Sequence, residues 1–309
     1  MFANPFKLKK LGILGMNERN INFISQYNQR KNFPLVDNKL KTKQIALQHN
    51  IAVPELLGFI EFQADRKHFQ KLIENENAFV IKPAQGSGGK GILVIKKDGD
   101  AYVKTSGERV SSSYIRRHIS NILSGLYSLG GRNDIAVFEK MVTFDEVFDG
   151  FSFEGVPDIR MIVYRGYPAM AMMRLSTSMS DGKANLHQGA VGVGLDMATG
   201  KAISAVQFNR PLTHHPDTQK KLNELVVPFW DDILRLSAKC YEMTDMGYLG
   251  ADIVIDKYRG PLVLELNARP GLAIQIANDC GALHRFKLID EVATKHKTIE
   301  SKIEFSKTL

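Results

Sequence analysis

Asp252, Glu265 and Asn267 place two carboxylates and an amide in two apolar runs, GADIVID (250–256) and PLVLELN (261–267). The polar turn DKYRG separates the runs, so together they read as a hairpin. Within PLVLELN, Leu262, Leu264 and Leu266 alternate onto one face, and Val263, Glu265 and Asn267 onto the other. If Ile255 faces Leu262, counting back sets Asp252 opposite Glu265. Carboxylates that face each other across adjacent strands repel, which makes sense when a cation lies between them. These three residues offer only oxygen ligands, a set that suits Mg²⁺ shared with phosphates. The competing reading of the same acids is pairing with Lys or Arg.

A second constellation is AQGSGGKG (84–91), in which Gly86, Gly88 and Gly91 spell G-x-G-x-x-G. A dinucleotide fingerprint must open a helix, yet Gly91 runs into the strand-like ILVIKK. Walker A chemistry is also excluded, because Gly91 follows Gly89-Lys90 where Ser or Thr is required. A glycine loop between two strands is instead a flap whose backbone N–H groups can close over phosphates. Protein kinases use such a flap, but H-R-D and D-F-G are absent. Lys82 supports phosphate over a plain flexible turn, since a charge in an apolar strand needs an anionic partner. Flap and acid pair together imply a nucleotide with a metal.

The elements that must position these groups mix strands and helices without a βαβ beat, the pattern of α+β lobes. KLKTKQIALQHN (39–50) reads as a helix behind an Asn38 cap, with Leu40, Ile45 and Leu47 near one face. AFVIKP (78–83) and GILVIKK (91–97) read as strands. The serine-capped 111–129 run reads as a helix closed by Gly130-Gly131. Strands are expected at 135–139, 159–164, 168–175 and 189–195. Helix is expected over 217–227, over 228–243 beyond Pro228, and through the 275–297 run.

With 309 residues, 44% of them hydrophobic, the chain can bury a large core in two domains or one two-lobed domain. The formal charge of +8 comes without a basic run, which makes a nucleic-acid partner unlikely and suits an anionic ligand. Cys240 and Cys280 are isolated in sequence, so both are expected as buried thiols of a reducing compartment. The apolar stretch Leu11–Met16 is too short for a signal or a span, so no membrane partner and a cytoplasmic location are expected.

Taken in order, "DNKLKTKQIALQHNIAVP", "VIKPAQGSGGKGI", "VFEKMV", "PDIRM", "KANLHQGA" and "GADIVIDKYRGPLVLELNARPG" resemble ATP-grasp carboxylate–amine ligases. The resemblance is nearest to the RimK-like branch of alpha-L-glutamate ligase-like proteins and covers residues 36–290. It implies an ATP-grasp fold, two α+β lobes clasping ATP. Residues 1–36 would be a shortened N-terminal segment, 37–290 the ATP-grasp domain and 291–309 a C-terminal tail. The flap-bearing lobe would span 76–140 and the metal-binding lobe 141–290. By the same resemblance, Lys39 and Lys82 hold ATP phosphates under the flap of Gly86, Ser87, Gly88 and Gly89. Glu139, Lys140 and Met141 read adenine, and Asp158 binds ribose. Lys183 and Asn185 lie near the transferring phosphate, although Arg is commoner where Lys183 stands. Asp252, Glu265 and Asn267 match magnesium ligands, with Mn²⁺ as a substitute.

Two departures matter. Only 36 residues precede the lysine helix where RimK-like enzymes carry a whole domain, so acceptor identity does not carry over. Arg269 replaces a small residue in NARPG.

The implied reaction activates a carboxylate with ATP and transfers the acyl group to an amine of an amino acid, peptide or protein tail. Such chemistry needs positioning and charge neutralisation more than a protein nucleophile. Arg160 is a candidate to stabilise the transferring phosphate, or else pairs with a lobe acid such as Asp158. Arg174 and Arg269 are candidates to hold a substrate carboxylate, or are structural. His187 reads as structural, and His214-His215 as solvated. The alternatives are an ATP-grasp phosphotransferase and a non-catalytic nucleotide-binding subunit. A homo-oligomer or partner subunit would complete a pocket left open by the short N-terminal segment.

Overall fold

The computed structural model describes residues 4–86, 88–99 and 101–309. The chain divides into two compact units. One comprises residues 37–44 and 53–142; the other comprises 1–36, 45–52 and 143–309.

The smaller unit is built on a six-stranded sheet ordered β1-β6-β2-β3-β4-β5. Its strands are β1 (Leu56–Ile60), β2 (Ala78–Pro83), β3 (Leu93–Asp98), β4 (Ala101–Lys104), β5 (Arg109–Val110) and β6 (Ala136–Lys140). All neighbours pair antiparallel. The helix Ser112–Leu123 lays Ile115, Ile119 and Ile122, one turn apart, on Phe79, Ile81, Ile95 and Phe138. Ser111 caps it, its hydroxyl accepting from the Tyr114 N–H at 3.2 Å. This helix closes well before Gly130-Gly131. Gly125 holds φ at +80°, and a Cβ there would sit 2.3 Å from the Arg132 carbonyl oxygen, so the chain must turn away at that point.

The larger unit carries a seven-stranded sheet ordered β11-β10-β9-β8-β7-β12-β13. Its strands are β7 (Asp158–Tyr164), β8 (Tyr167–Leu175), β9 (Val191–Leu195), β10 (Ala202–Gln207), β11 (Arg210–Pro211), β12 (Tyr248–Asp256) and β13 (Gly260–Asn267). Every residue of β12 is buried, so this strand is covered on both faces. The helix Trp230–Thr244 packs on β7, β8, β12 and β13. Asp231 and Asp232 in its first turn suit the positive end of the helix dipole. Leu14, Phe23 and Ile24 from the N-terminal stretch join Tyr164, Tyr248 and Phe286 in one aromatic-rich core.

Three helix expectations are corrected. Residues 217–227 hold no α-helix: a turn at 217–218, a left-handed Gln219 and one short turn, Leu222–Glu224, are joined by irregular chain. Their backbone is used instead by neighbours: Leu222 N–H donates to the Thr213 carbonyl and Ala202 N–H to the Leu225 carbonyl, each at 3.0 Å. Leu222 and Leu225 are buried there without a helix. The 275–297 run breaks into Ile274–Ala277 and Leu283–Val292. Gly281 makes the break, since a Cβ on it would lie 2.1 Å from the Gly12 backbone. On the helix Lys39–Gln48 the buried stripe is Leu40, Lys43 and Ala46, while Leu47 is exposed. Both cysteines are free thiols; Cys240 is buried, which pushes its thiol up to about 12, and Cys280 is only half-buried.

Candidate functional site

In the smaller unit, four residues gather charge around the start of the helix Lys39–Gln48. Its first N–H, from Lys39, donates to the Ala84 carbonyl at 2.8 Å, which stitches the helix onto the strand-to-flap junction. Lys39 Nζ then donates to the Gly86 carbonyl at 2.6 Å. One turn on, Lys43 points the same way. Its Nζ lies 2.8 Å from Glu139 Oε1 and donates also to the Pro54 carbonyl. Lys82 Nζ takes the other oxygen, Glu139 Oε2, at 2.7 Å. Lys43, Lys82 and Glu139 are all buried. Burial disfavours the Glu139 carboxylate, but the charges of Lys82 and Lys43 outweigh it and hold the group below its ordinary value.

The triad keeps one net positive charge out of water. Two cations against one carboxylate make the potential of the cluster positive, which favours an anionic ligand beside it. Lys43 escaped the sequence reading because a lysine in KLKTKQ looks like a solvated helix face. The signal was its spacing from Lys39 and its place between Leu40 and Ala46.

The flap begins at Gly86 and ends in β3 at Leu93. Gly88 and Gly89 both hold positive φ with open space beside them, so their amides stand clear of packing. Ser87 lies outside the described residues. At the exit, Gly91 holds φ at +77°, and a Cβ on it would be 2.5 Å from the Tyr127 ring. His118 Nε2 bonds the Gly91 carbonyl at 3.0 Å. Burial lowers the His118 pKa, so the ring is neutral and donates that proton. Lys140 is exposed, 3.5 Å from Glu76, and Met141 follows half-buried.

The larger unit brings a different set together. Asp252 is paired with Glu265 across β12–β13, but not by the counted route. Ile255 faces Pro261, Val254 faces Leu262 and Ile253 faces Val263. The register shifts before Asp252, leaving Leu264 as an extra residue, a β-bulge. The bulge resets the parity of β13. Glu265 and Asn267 therefore share the Asp252 side, and Val263 does not.

Asp252 itself is fully engaged. Arg160 donates to it twice, Nε to Oδ1 at 2.6 Å and Nη2 to Oδ2 at 2.5 Å. Arg174 Nη2 adds a bond at 2.8 Å and Asn267 Nδ2 another at 3.2 Å. Arg174 also grips Asp158, Nε to Oδ1 at 2.5 Å and Nη2 to Oδ2 at 2.6 Å. Register explains the cluster: Asp252 faces Arg160 across β12–β7, and Asp158 faces Arg174 across β7–β8. Burial opposes ionisation of Asp252, but Arg160 and then Arg174 hold its carboxyl well below the usual range. Asp158 is pushed up to about 6 by burial, with Arg174 opposing and the Asp252 charge reinforcing.

Arginine pairing is thus what Asp252 does in this arrangement, and Arg160 and Arg174 both turn inward onto acids. The donors at this point are hard oxygens, the right chemistry for Mg²⁺. The described residues contain no group of three or more His, Cys, Asp or Glu able to hold a metal alone. Glu265 and the Asn267 carbonyl oxygen fit a cation that takes its remaining ligands from phosphate. Asp252 fits as the carboxylate that would exchange a guanidinium bond for the ion.

The remaining candidates have partners of their own. Lys183 pairs with exposed Asp181 at 3.0 Å. Asn185 caps its own turn, accepting from the His187 N–H at 3.0 Å. Arg269 is exposed and lies 4.8 Å over the Phe33 ring. His215 is not solvated: its ring is fully buried, Nε2 on the Ser176 carbonyl at 3.0 Å and Nδ1 facing the Asp217 N–H at 3.3 Å. It is structural, while His214 is exposed.

A family model described as sugar-transfer associated ATP-grasp matches residues 18–291. No curated protein matches the chain. Among solved structures the chain is similar to the ATP-grasp ligase PsnB complexed with minimal precursor, at 12% identity and TM-score 0.47, covering 87% of this chain and 63% of that one. It is also similar to D-alanyl-alanine synthetase A from Vibrio cholerae O1 biovar eltor, at 10% identity and TM-score 0.48, over 90% and 66% of the two chains. D-alanine–D-alanine ligase from Bacillus anthracis complexed with ATP shows 15% identity and TM-score 0.48, over 90% and 69%. The chain spans a little under two thirds of the length of the first two.

Proposed function

Because this chain belongs to the sugar-transfer associated ATP-grasp family, and so has the ATP-grasp fold, we propose that it is an ATP- and Mg²⁺-dependent carboxylate–amine ligase. The observation that carries the reading is the hairpin in which Asp252, Glu265 and Asn267 meet on one side of β12–β13. Acids are set opposite each other there and matched by Arg160 and Arg174, an arrangement suited to a polyphosphate with its cation.

Lys39 and Lys82 bind the ATP phosphates, with the amides of Gly86, Ser87, Gly88 and Gly89 closing over them. Glu139 and Asp158 orient Lys82 and Arg174 through their carboxylates, whose remaining lone pairs serve the nucleotide, Glu139 for adenine and Asp158 for ribose. The backbone at Lys140 and Met141 completes adenine recognition. Glu265 and Asn267 hold Mg²⁺, with Asp252 as third ligand. When bound, the ion neutralises charge on the transferring phosphoryl group.

A substrate carboxylate oxygen attacks the γ-phosphorus as its bond to the bridging oxygen breaks, and ADP leaves. The amine nitrogen then attacks the acyl carbon, loses a proton and expels phosphate, leaving an amide. Arg160 is placed to stabilise charge on the transferring group. Lys183 and Asn185 reach the phosphate from their loop, and Arg269 binds a substrate carboxylate. The RimK-like motifs make glutamate the first substrate to test.

The test is a mass-spectrometric screen of acid and amine pairs with ATP and Mg²⁺. Products lighter than the summed substrates by one water, formed with ADP and phosphate, are expected. A stable phosphorylated product without an amide, seen by ³¹P NMR, would make the chain a phosphotransferase.

A further inference from the structure

Residues 4–24 are fastened firmly to the larger unit. Gln275 pins Leu14 from both sides, accepting its N–H at 2.8 Å and donating to its carbonyl at 3.1 Å. Arg19 Nη1 donates to the Pro270 carbonyl at 2.9 Å. Leu14, Phe23 and Ile24 are buried in the core beside Tyr164 and Phe286. A segment anchored in this way would be expected to turn its other apolar side chains inward too.

It does the opposite. Phe6 is 82% exposed, Met16 64%, Ile21 63% and Leu11 51%, and Leu8 is exposed beside them. The short helix Pro5–Lys10 buries none of its residues. Exposed apolar side chains scattered singly are ordinary, but five within one anchored stretch are not. The same region is strongly basic. Residues 1–36 hold six Lys or Arg and a single acid, Glu18. Lys7, Lys9 and Lys10 lie in the last turn of that helix, among the exposed Phe6, Leu8 and Leu11.

We propose that residues 4–21 form a peripheral anchor that lays this protein on an anionic lipid bilayer. The side chains protrude from a short, irregular segment, so they suit a soft interface that needs no shape complement. Phe and Leu enter the acyl boundary while lysine stems reach back to anionic headgroups. Each lysine near such a surface strengthens partitioning by about five-fold. A second copy of this chain is disfavoured as the occupant, because it would bring the same positive charge. A nucleic acid would use the lysines but not the exposed Phe6, Leu8, Leu11 and Met16. Lying on a membrane differs from crossing one: among the described residues no helix is long and apolar enough to span.

The test uses the full chain and sucrose-loaded vesicles, and it is independent of any ligase activity. Co-sedimentation is expected with phosphatidylcholine vesicles containing phosphatidylglycerol, weakening as salt rises, and not with phosphatidylcholine alone. Phe6→Ser, Leu8→Ser and Leu11→Ser together should weaken binding at least ~10-fold without changing the melting temperature, because all three are exposed. Lys7→Glu, Lys9→Glu and Lys10→Glu together should abolish it. Phe6→Trp should show a blue-shifted emission and quenching by brominated acyl chains on binding. No sedimentation with anionic vesicles would overturn the proposal. Equal vesicle binding by the triple serine variant, or equally tight binding of that variant and the native chain to duplex DNA, would overturn it as well.

Discussion

Asp252 and Glu265 face each other across β12–β13 because one extra residue, Leu264, bulges out between them and the turn. In a regular ladder, with no bulge, Asp252 would face Leu264 and Glu265 would lie on the opposite side of the sheet from Asp252. The bulge therefore decides which side chains can share a ligand, more than the turn does.

The two acids should respond differently to neutralisation. Asp252→Asn removes the carboxylate from Arg160 and Arg174 and leaves buried guanidinium charge without its partner. A loss of about 3–5 kcal/mol is expected in urea titration. Glu265→Gln should raise the Mg²⁺ requirement at least ~10-fold. Equal unfolding midpoints for Asp252→Asn and the native chain would contradict the buried ion network.

Lys43→Met leaves Lys82 and Glu139 as a neutral pair. ATP affinity should fall about 10-fold by calorimetry even though Lys43 bonds only protein groups, with a stability loss of a few kcal/mol. Lys43→Arg should recover part of the affinity. A native ATP affinity in Lys43→Met would mean that the net charge of the triad does not matter to binding.

Gly91→Ala meets both a positive φ and the Tyr127 ring, whereas Gly88→Ala meets positive φ alone. The first should be destabilised by about 1–3 kcal/mol and the second by about 1 kcal/mol. Differential scanning calorimetry would show the order, and the reverse order would remove Tyr127 as the anchor of the flap exit.

Burial lowers the His215 pKa below the ordinary histidine value of about 6.5. A histidine with a depressed folded value is neutral in the fold and protonated in the unfolded chain. Its contribution is therefore present above pH 6.5 and lost as pH falls through the folded value. Thermal stability should drop as pH falls below about 6.5, and His215→Gln should flatten that slope. An unchanged slope in the variant would place the titration elsewhere.

Sheet strands and the flap were legible in the sequence because β-branched content, length and glycine punctuation all agreed. AFVIKP and β2 coincide residue for residue. The facing of Asp252 and Glu265 was reached by a wrong count: the assumed pairing of Ile255 with Leu262 was off by one, and the bulge restored the outcome. The helix expected at 217–227 failed because tertiary pairing of that backbone outweighed its helix-like spacing. The spacing of Lys43 hinted at burial, but sequence alone gives no sign that Glu139 waits for it or the Ser176 carbonyl for His215. Charge partnering is a property of the folded sheet, and no local pattern encodes it.

Fastening Leu14 to Gln275 has a bearing on biosynthesis. The bond joins residues 261 positions apart, so it can form only after nearly the whole chain has left the ribosome. Residues 53–142 of the smaller unit are contiguous and can collapse early, on local contacts. The basic, apolar N-terminal stretch meanwhile waits unpacked through most of translation, exposed to chaperones or to any surface that binds it first.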